Sequence, residues 1–132
     1  MAGSVRILVV EDEANNVEII TRLLKRQGYE PIVAGNADDA IRLSQSEQPA
    51  LVLMDITIPE RAGEAAHIEG GLRATRDIKA HGPTANLPVL ALTARSMPHE
   101  QQAMRDAGCD EVAMKPYDFK TLLATMESLL RK

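Results

Sequence analysis

A doubly wound α/β fold, with a parallel sheet covered by helices on both faces, is the architecture this chain predicts on three observations. Five short apolar runs alternate with longer stretches of helical spacing. The runs that begin at Arg6, Ala50 and Leu87 are apolar without alternation, as strands buried on both faces require. Crossovers between such strands are right-handed, so the strands run parallel and the helices fall on both sides.

Strands are expected at Arg6–Val10, Glu30–Ala34, Ala50–Met54, Leu87–Leu92 and Glu111–Met114. In the first helix Val17, Ile20 and Leu24 recur at i, i+3 and i+7 with Leu23 beside them, and Gly28 stands where a left-handed residue ends a helix. The second helix has Asn36 as its N-cap and a weaker stripe of Ala40, Ile41 and Ser44. Pro98 suits the first turn of the fourth helix, which closes at Gly108. Asp118 caps the fifth, whose stripe of Phe119, Leu122, Leu123, Met126, Leu129 and Leu130 is the strongest in the chain. One domain spanning residues 1–132 is expected, since that length suits a single hydrophobic core.

Composition narrows the function. Hydrophobic residues make up 45% and charged residues 26%, which is globular composition. A net charge of −4 with no Lys/Arg run argues against nucleic-acid and membrane-surface binding. The three aromatics, Tyr29, Tyr117 and Phe119, make no base-stacking platform. A single cysteine, Cys109, excludes an internal disulfide and reads as a small buried hydrophobe. His67, His81 and His99 share no ligand spacing and read as surface residues. With no spanning segment and no secretory signal, a cytoplasmic protein is expected.

In an open parallel sheet, ligands bind beyond the carboxyl ends of the strands, where strand order reverses. Glu11 and Asp12 follow the first run, Asp55 the third, Thr93 the fourth, and Lys115 and Pro116 the fifth. Three carboxylates converging there would repel one another unless a cation intervened. Mg²⁺ suits such oxygen ligands best, because it takes one or two carboxylates and keeps waters and phosphate oxygens besides. Lys115 would add a compact positive charge and Thr93 a hydroxyl donor. Cation, ammonium and hydroxyl around a carboxylate form a site that stabilises a transferring phosphoryl group, with Asp55 as the natural nucleophile.

Val9-Val10-Glu11-Asp12, Met54 to Pro59, Leu92-Thr93-Ala94 and Lys115-Pro116 together resemble the receiver domain of two-component response regulators, over essentially the whole chain. The resemblance implies a flavodoxin-like five-stranded sheet of order 2-1-3-4-5 with five helices. It implies that Asp55 accepts a phosphoryl group from a sensor histidine kinase or a histidine phosphotransfer protein. Glu11, Asp12, Asp55 and the backbone carbonyl of Thr57 would hold Mg²⁺, and Thr93 and Lys115 would contact the phosphoryl oxygens. A cis bond is implied at Pro116, which proline makes affordable. Asn16 is similar to the residue found in stand-alone and hybrid-kinase receivers.

Two positions depart from the family pattern. The place of its switch aromatic, three residues before the lysine, holds Val112, so the usual threonine–aromatic switch cannot operate. Tyr117 is the nearest aromatic, either packed beside the fifth helix or offering a partner surface. The second departure is an insertion over about residues 60–70. Its Ala and Glu content predicts a short helical flap, broken or hinged at Gly70-Gly71, before a third helix that begins near Gly71. Arg95 is expected at the pocket rim, where it would influence phosphoryl lifetime.

Rival functions are weaker. A phosphohydrolase with an Asp nucleophile needs a second Asp two residues on, and Thr57 stands there. A nucleotide or flavin binder needs a Gly-rich loop after the first strand, which is missing. A non-phosphorylated pseudo-receiver would not need the intact acidic and basic set. With the chain ending at the fifth helix, output is expected through contact with a downstream protein, as a monomer or weak dimer and without nucleic acid or membrane.

Overall fold

The computed structural model describes residues 4–131. Strands β1 (Arg6–Val10), β2 (Glu30–Ala34), β3 (Leu51–Asp55), β4 (Val89–Thr93) and β5 (Glu111–Met114) form one parallel sheet of order β2-β1-β3-β4-β5. Helices α1 (Ala14–Arg26), α2 (Ala37–Ser46), α3 (Ile68–Ala80), α4 (Pro98–Ala107) and α5 (Phe119–Leu130) connect and follow them. The two-residue period of each strand sorts the core into two layers. Ile7, Val9, Leu51, Leu53, Leu90 and Leu92 meet Ile20 and Leu24 of α1 and Leu122, Met126 and Leu129 of α5. Leu8, Val10, Val52, Met54, Val89 and Ala91 meet α2, α3 and α4 through residues such as Ala40, Ile78 and Met104. Strand order reverses on either side of β1, so the carboxyl ends of β1 and β3 form the switch point.

The expected caps are formed. Asn36 Oδ1 accepts from the Asp39 N–H and Asp118 Oδ2 from the Thr121 N–H. Pro98 opens α4, and Gly28 and Gly108 end α1 and α4 at φ +86° and +113°. Cys109 is buried, with Sγ 3.9 Å from Thr75 Oγ1. Two strands, β3 and β4, differ from expectation at both limits. Asp55 and Thr93 are the last residues of β3 and β4 and not the first residues after them. Asp55 pairs with Leu92 and Thr93 with Met114, because a polar side chain at the ladder's end still has a backbone to pair. Leu87 lies outside β4, in a turn that follows a 3₁₀ segment over Gly82–Thr84.

The insertion is corrected in two respects. Residues 60–66 form no helix: they turn at Ala62-Gly63 and are closed at the base by paired hydrogen bonds between Ile58 and His67. Seven residues carrying a glycine and exposed alanines have neither the length to nucleate a helix nor an apolar face to bury. Gly70 and Gly71, in turn, do not break a helix but belong to α3, which starts at Ile68 under an N-cap from His67 Nδ1. A Cβ on Gly71 would collide with the Ile56 Cα and carbonyl, and one on Gly70 with the Ile58 carbonyl. The glycines let the helix lie directly on the chain leaving β3, and that contact offsets the roughly 1 kcal/mol each costs within a helix.

The start of the loop is fastened to α2. Ala37 and Asp38 donate their N–H groups to the Pro59 and Glu60 carbonyls. Arg73 of α3 pairs with Asp38 (2.6 Å) and Glu60 (2.8 Å), although its Nε lacks a well-aligned acceptor, so the Glu60 contact is an ion pair and not a directed bond. No helix among the described residues is long and apolar enough to cross a membrane.

Two outcomes are expected. Gly71→Ala should destabilise the fold by about 1–3 kcal/mol through overpacking, measured by urea unfolding; a variant as stable as the parent would refute the close-approach argument. Burial pushes the Cys109 thiol up to about 11; its hydrogen bond with Thr75 opposes this, the Asp110 charge adds to it and the Lys79 charge opposes it. Native chain at pH 8 should therefore resist iodoacetamide while urea-unfolded chain reacts readily, and fast native labelling would show the thiol to be accessible.

Candidate functional site

The sheet's backbone ladder carries on past the strands and fixes the residues that follow them. Glu11 N–H donates to the Ala34 carbonyl (2.9 Å), Ile56 N–H to Leu92 (3.2 Å) and Lys115 N–H to Thr93 (2.8 Å). Counting by twos from the core residues, Glu11, Asp55 and Lys115 share the side of the sheet that carries α1 and α5, whereas Thr93 belongs to the side of α2–α4. Lys115 lies one strand away from Asp55, beyond β4, and its four-carbon stem bridges that distance.

Carboxylate oxygens of Glu11, Asp12 and Asp55 lie within 4.8 Å of one another. Glu11 and Asp55 are buried and Asp12 is exposed, so the cluster opens to solvent on one side. Lys115 Nζ stands 2.9 Å from Asp55 Oδ2 and 3.8 Å from Glu11 Oε1. The other carboxylate oxygens of Asp55 and Glu11 find backbone donors: Thr57 N–H to Asp55 Oδ1 (3.1 Å) and Glu13 N–H to Glu11 Oε2 (3.0 Å).

Charge and burial compete within this cluster. Burial raises the Glu11 carboxyl above its usual range; the Glu13 N–H opposes this, the Asp55 charge reinforces it, and Lys115 opposes it. Burial alone would lower the Lys115 ammonium, but the hydrogen bond and charge of Asp55, joined by Glu11, outweigh it and hold the ammonium above its ordinary value. The lysine is thus kept charged by the carboxylates it neutralises. An all-oxygen donor set with one solvent-facing member fits a hard divalent cation that keeps some of its water.

Thr93 Oγ1 accepts from the Arg95 N–H at 2.9 Å. The Arg95 side chain has Nε 3.4 Å from Thr57 Oγ1 and Nη1 2.8 Å from Glu100 of α4. Glu100 escaped sequence reading: it is one more acidic residue in a first helical turn, and only the folded loop aims Arg95 at it. The Lys115–Pro116 bond is cis. Val112 is half-buried and packs into the layer of α2–α4, away from the acidic cluster. Tyr117 is half-buried against the α1/α5 layer, which is the packing alternative of the two weighed for it. Its ring also lines a groove of about 380 Å³ together with Glu11, Asn16, Ile19, Lys115 and Pro116.

Comparison with known proteins agrees with this arrangement. A family model described as the response regulator receiver domain matches residues 7–127. The polar-differentiation response regulator DivK of Brucella anthropi is 31% identical over 124 residues, covering 94% of each chain. The response regulator MprA of Mycolicibacterium vanbaalenii is 36% identical over 128 residues, which is 97% of this chain but 51% of that protein. Among solved structures, the receiver domain of the sensor histidine kinase PA1611 from Pseudomonas aeruginosa superposes with a TM-score of 0.85 at 26% identity, over 99% of this chain and all of that one. That structure holds a magnesium ion in its active-site cleft. The sheet order, the acidic cluster at its carboxyl edge and these matches lead to one assignment: the chain belongs to the receiver-domain family of two-component response regulators.

Proposed function

We propose that Asp55 is a phosphoacceptor, receiving a phosphoryl group from a phosphohistidine of a sensor histidine kinase or a histidine phosphotransfer protein. The observation that carries this reading is the pairing of a buried Asp55 with Lys115 at 2.9 Å inside a cluster of three carboxylates. Such convergence is unfavourable unless positive charge is delivered there, and delivered positive charge is what a transferring phosphoryl group needs.

Asp55 Oδ would attack phosphorus in line with the leaving imidazole nitrogen. The P–N bond breaks as the O–P bond forms, and the acyl phosphate later loses its phosphoryl group to water. Thr57 N–H steadies one carboxylate oxygen for attack. The Lys115 ammonium, already against Oδ2, neutralises charge gathering on the phosphoryl oxygens. Thr93 would offer its hydroxyl proton to those oxygens, a proton its oxygen keeps while accepting from the Arg95 N–H. Glu11, Asp12, Asp55 and the Thr57 carbonyl would hold Mg²⁺. When bound, the ion would shield the carboxylates from one another and draw charge from the phosphoryl group.

Turnover of external phosphate esters is disfavoured by Thr57. Its hydroxyl sits beside the Arg95 guanidinium and offers no acid/base group to a leaving alkoxide. The chemistry is therefore limited to self-catalysed transfer and autodephosphorylation. Signalling would pass by contact with a downstream protein, in the cytoplasm where histidine kinases present their phosphohistidine.

Incubation with acetyl phosphate and Mg²⁺ should add one phosphoryl group, mapped to Asp55 and abolished in Asp55→Asn or by EDTA. Labelling elsewhere, or undiminished labelling of the mutant, would sink the assignment. Lys115→Met should slow labelling by about 10²-fold, the cost typical of losing one preorganised charge donor. A rate within twofold of the parent would leave Lys115 a purely structural ion pair.

A further inference from the structure

With Val112 in the switch position, no aromatic can carry the state of Thr93 to α4, yet the pocket and α4 are joined by another side chain. Arg95 spans the distance. Its N–H is on Thr93 Oγ1 (2.9 Å), its Nε lies 3.4 Å from Thr57 Oγ1, and its Nη1 holds Glu100 Oε2 at 2.8 Å in the first turn of α4. The next residue of that helix, Gln101, donates Nε2 to the Arg95 carbonyl (2.8 Å) and rests on Met114 Sδ (3.2 Å) at the end of β5. The first turn of α4 is thus fastened to the pocket loop by Arg95 from both its side chain and its backbone.

The Glu100 side chain is 16% exposed against 39% for Arg95, so the guanidinium covers the carboxylate more than the carboxylate covers it. Beneath this fastening the helix is lightly held: only Met104 and Ala107 of its ten residues are buried. A phosphoryl group on Asp55 would carry nearly two negative charges and three acceptor oxygens, a stronger and better-shaped partner for a guanidinium than one carboxylate.

Taking Asp55 as the phosphoacceptor, we infer that Arg95 reads the state of the pocket by exchanging partners, leaving Glu100 for the phosphoryl oxygens and so releasing the first turn of α4. The exchange replaces a rotating aromatic with a competition between two anions for one cation. Its leverage is the difference between the two pairings, and lightly held α4 needs little. By linkage, anything that removes Glu100 from the competition must strengthen binding at Asp55.

That sign is the test. The full chain is titrated with beryllofluoride in Mg²⁺, followed by fluorine NMR, with amide exchange read over Gln101–Met104. Glu100→Gln keeps a helix-start side chain while removing the charge, and should tighten beryllofluoride binding about two- to fivefold, the range a partly covered ion pair opens. Arg95→Met should weaken binding by at least as much, and Glu100→Gln should have no further effect on that background. Exchange over Gln101–Met104 should rise on loading in the parent and be high already in Glu100→Gln. A merely structural pair would move both single variants the same way, so unchanged or weaker binding by Glu100→Gln overturns the exchange. Failure of the parent to bind beryllofluoride, or binding that survives Asp55→Asn, overturns the phosphoacceptor reading and the exchange with it.

Discussion

Electrostatic balance at the carboxyl edge of the sheet is the constraint on which the rest depends. Glu11 and Asp55 are buried side by side with Asp12 close at hand, and only the Lys115 ammonium and a pair of backbone N–H groups offset them. A stable core with a like-charged cluster at its rim is tolerable only because each of the two buried carboxylates has specific donors and the third, Asp12, stays open to solvent. Everything structural that follows, from strand order to the length of the Lys115 stem, serves to bring these groups within reach of one another. The same imbalance leaves the site ready for additional positive charge, which makes it a site and not merely an expensive corner of a fold.

Period and parity explain the division of labour around Asp55. Glu11, Asp55 and Lys115 fall on one side of the sheet by the alternation of their strands, and Thr93 on the other. Thr93 and its neighbour Arg95 consequently face α4, whereas the acidic cluster faces α1 and the groove lined by Asn16, Ile19 and Tyr117. Charge balance is therefore handled on one face, and the connection to the lightly buried helix α4 is made on the other.

Much of this was legible in the residues. The five apolar runs and the polar residue closing four of them located the strands, their carboxyl ends and the cluster, because burial on two faces leaves a plain mark in sequence. Asn36, Asp118, Pro98, Gly28 and Gly108 marked helix ends through local chemistry that needs no tertiary context. The segment after Pro59 departs from what its sequence predicts for the opposite reason. Alanine content speaks for a helix only when there is length or a face to bury, and a Gly-Gly pair speaks for a break only when nothing packs against it. Here the strand exit at Ile56 and Ile58 decides, and that contact has no local signature. The Arg95–Glu100 pair was hidden similarly, since two charges five residues apart face each other only after the β4–α4 connection has folded.

The hydrogen-bonded pair Ile58–His67 has a consequence for how such a domain can diversify. It ties off the excursion at its base, below which Gly70 and Gly71 seat α3 against the chain leaving β3, and above which residues 61–66 are exposed. The knot separates a region under tight steric control from one under almost none. A change of length or composition above it meets no buried contact, whereas a single methyl group added below it collides with the chain leaving β3. The tip is in effect a replaceable cassette on a fixed mount.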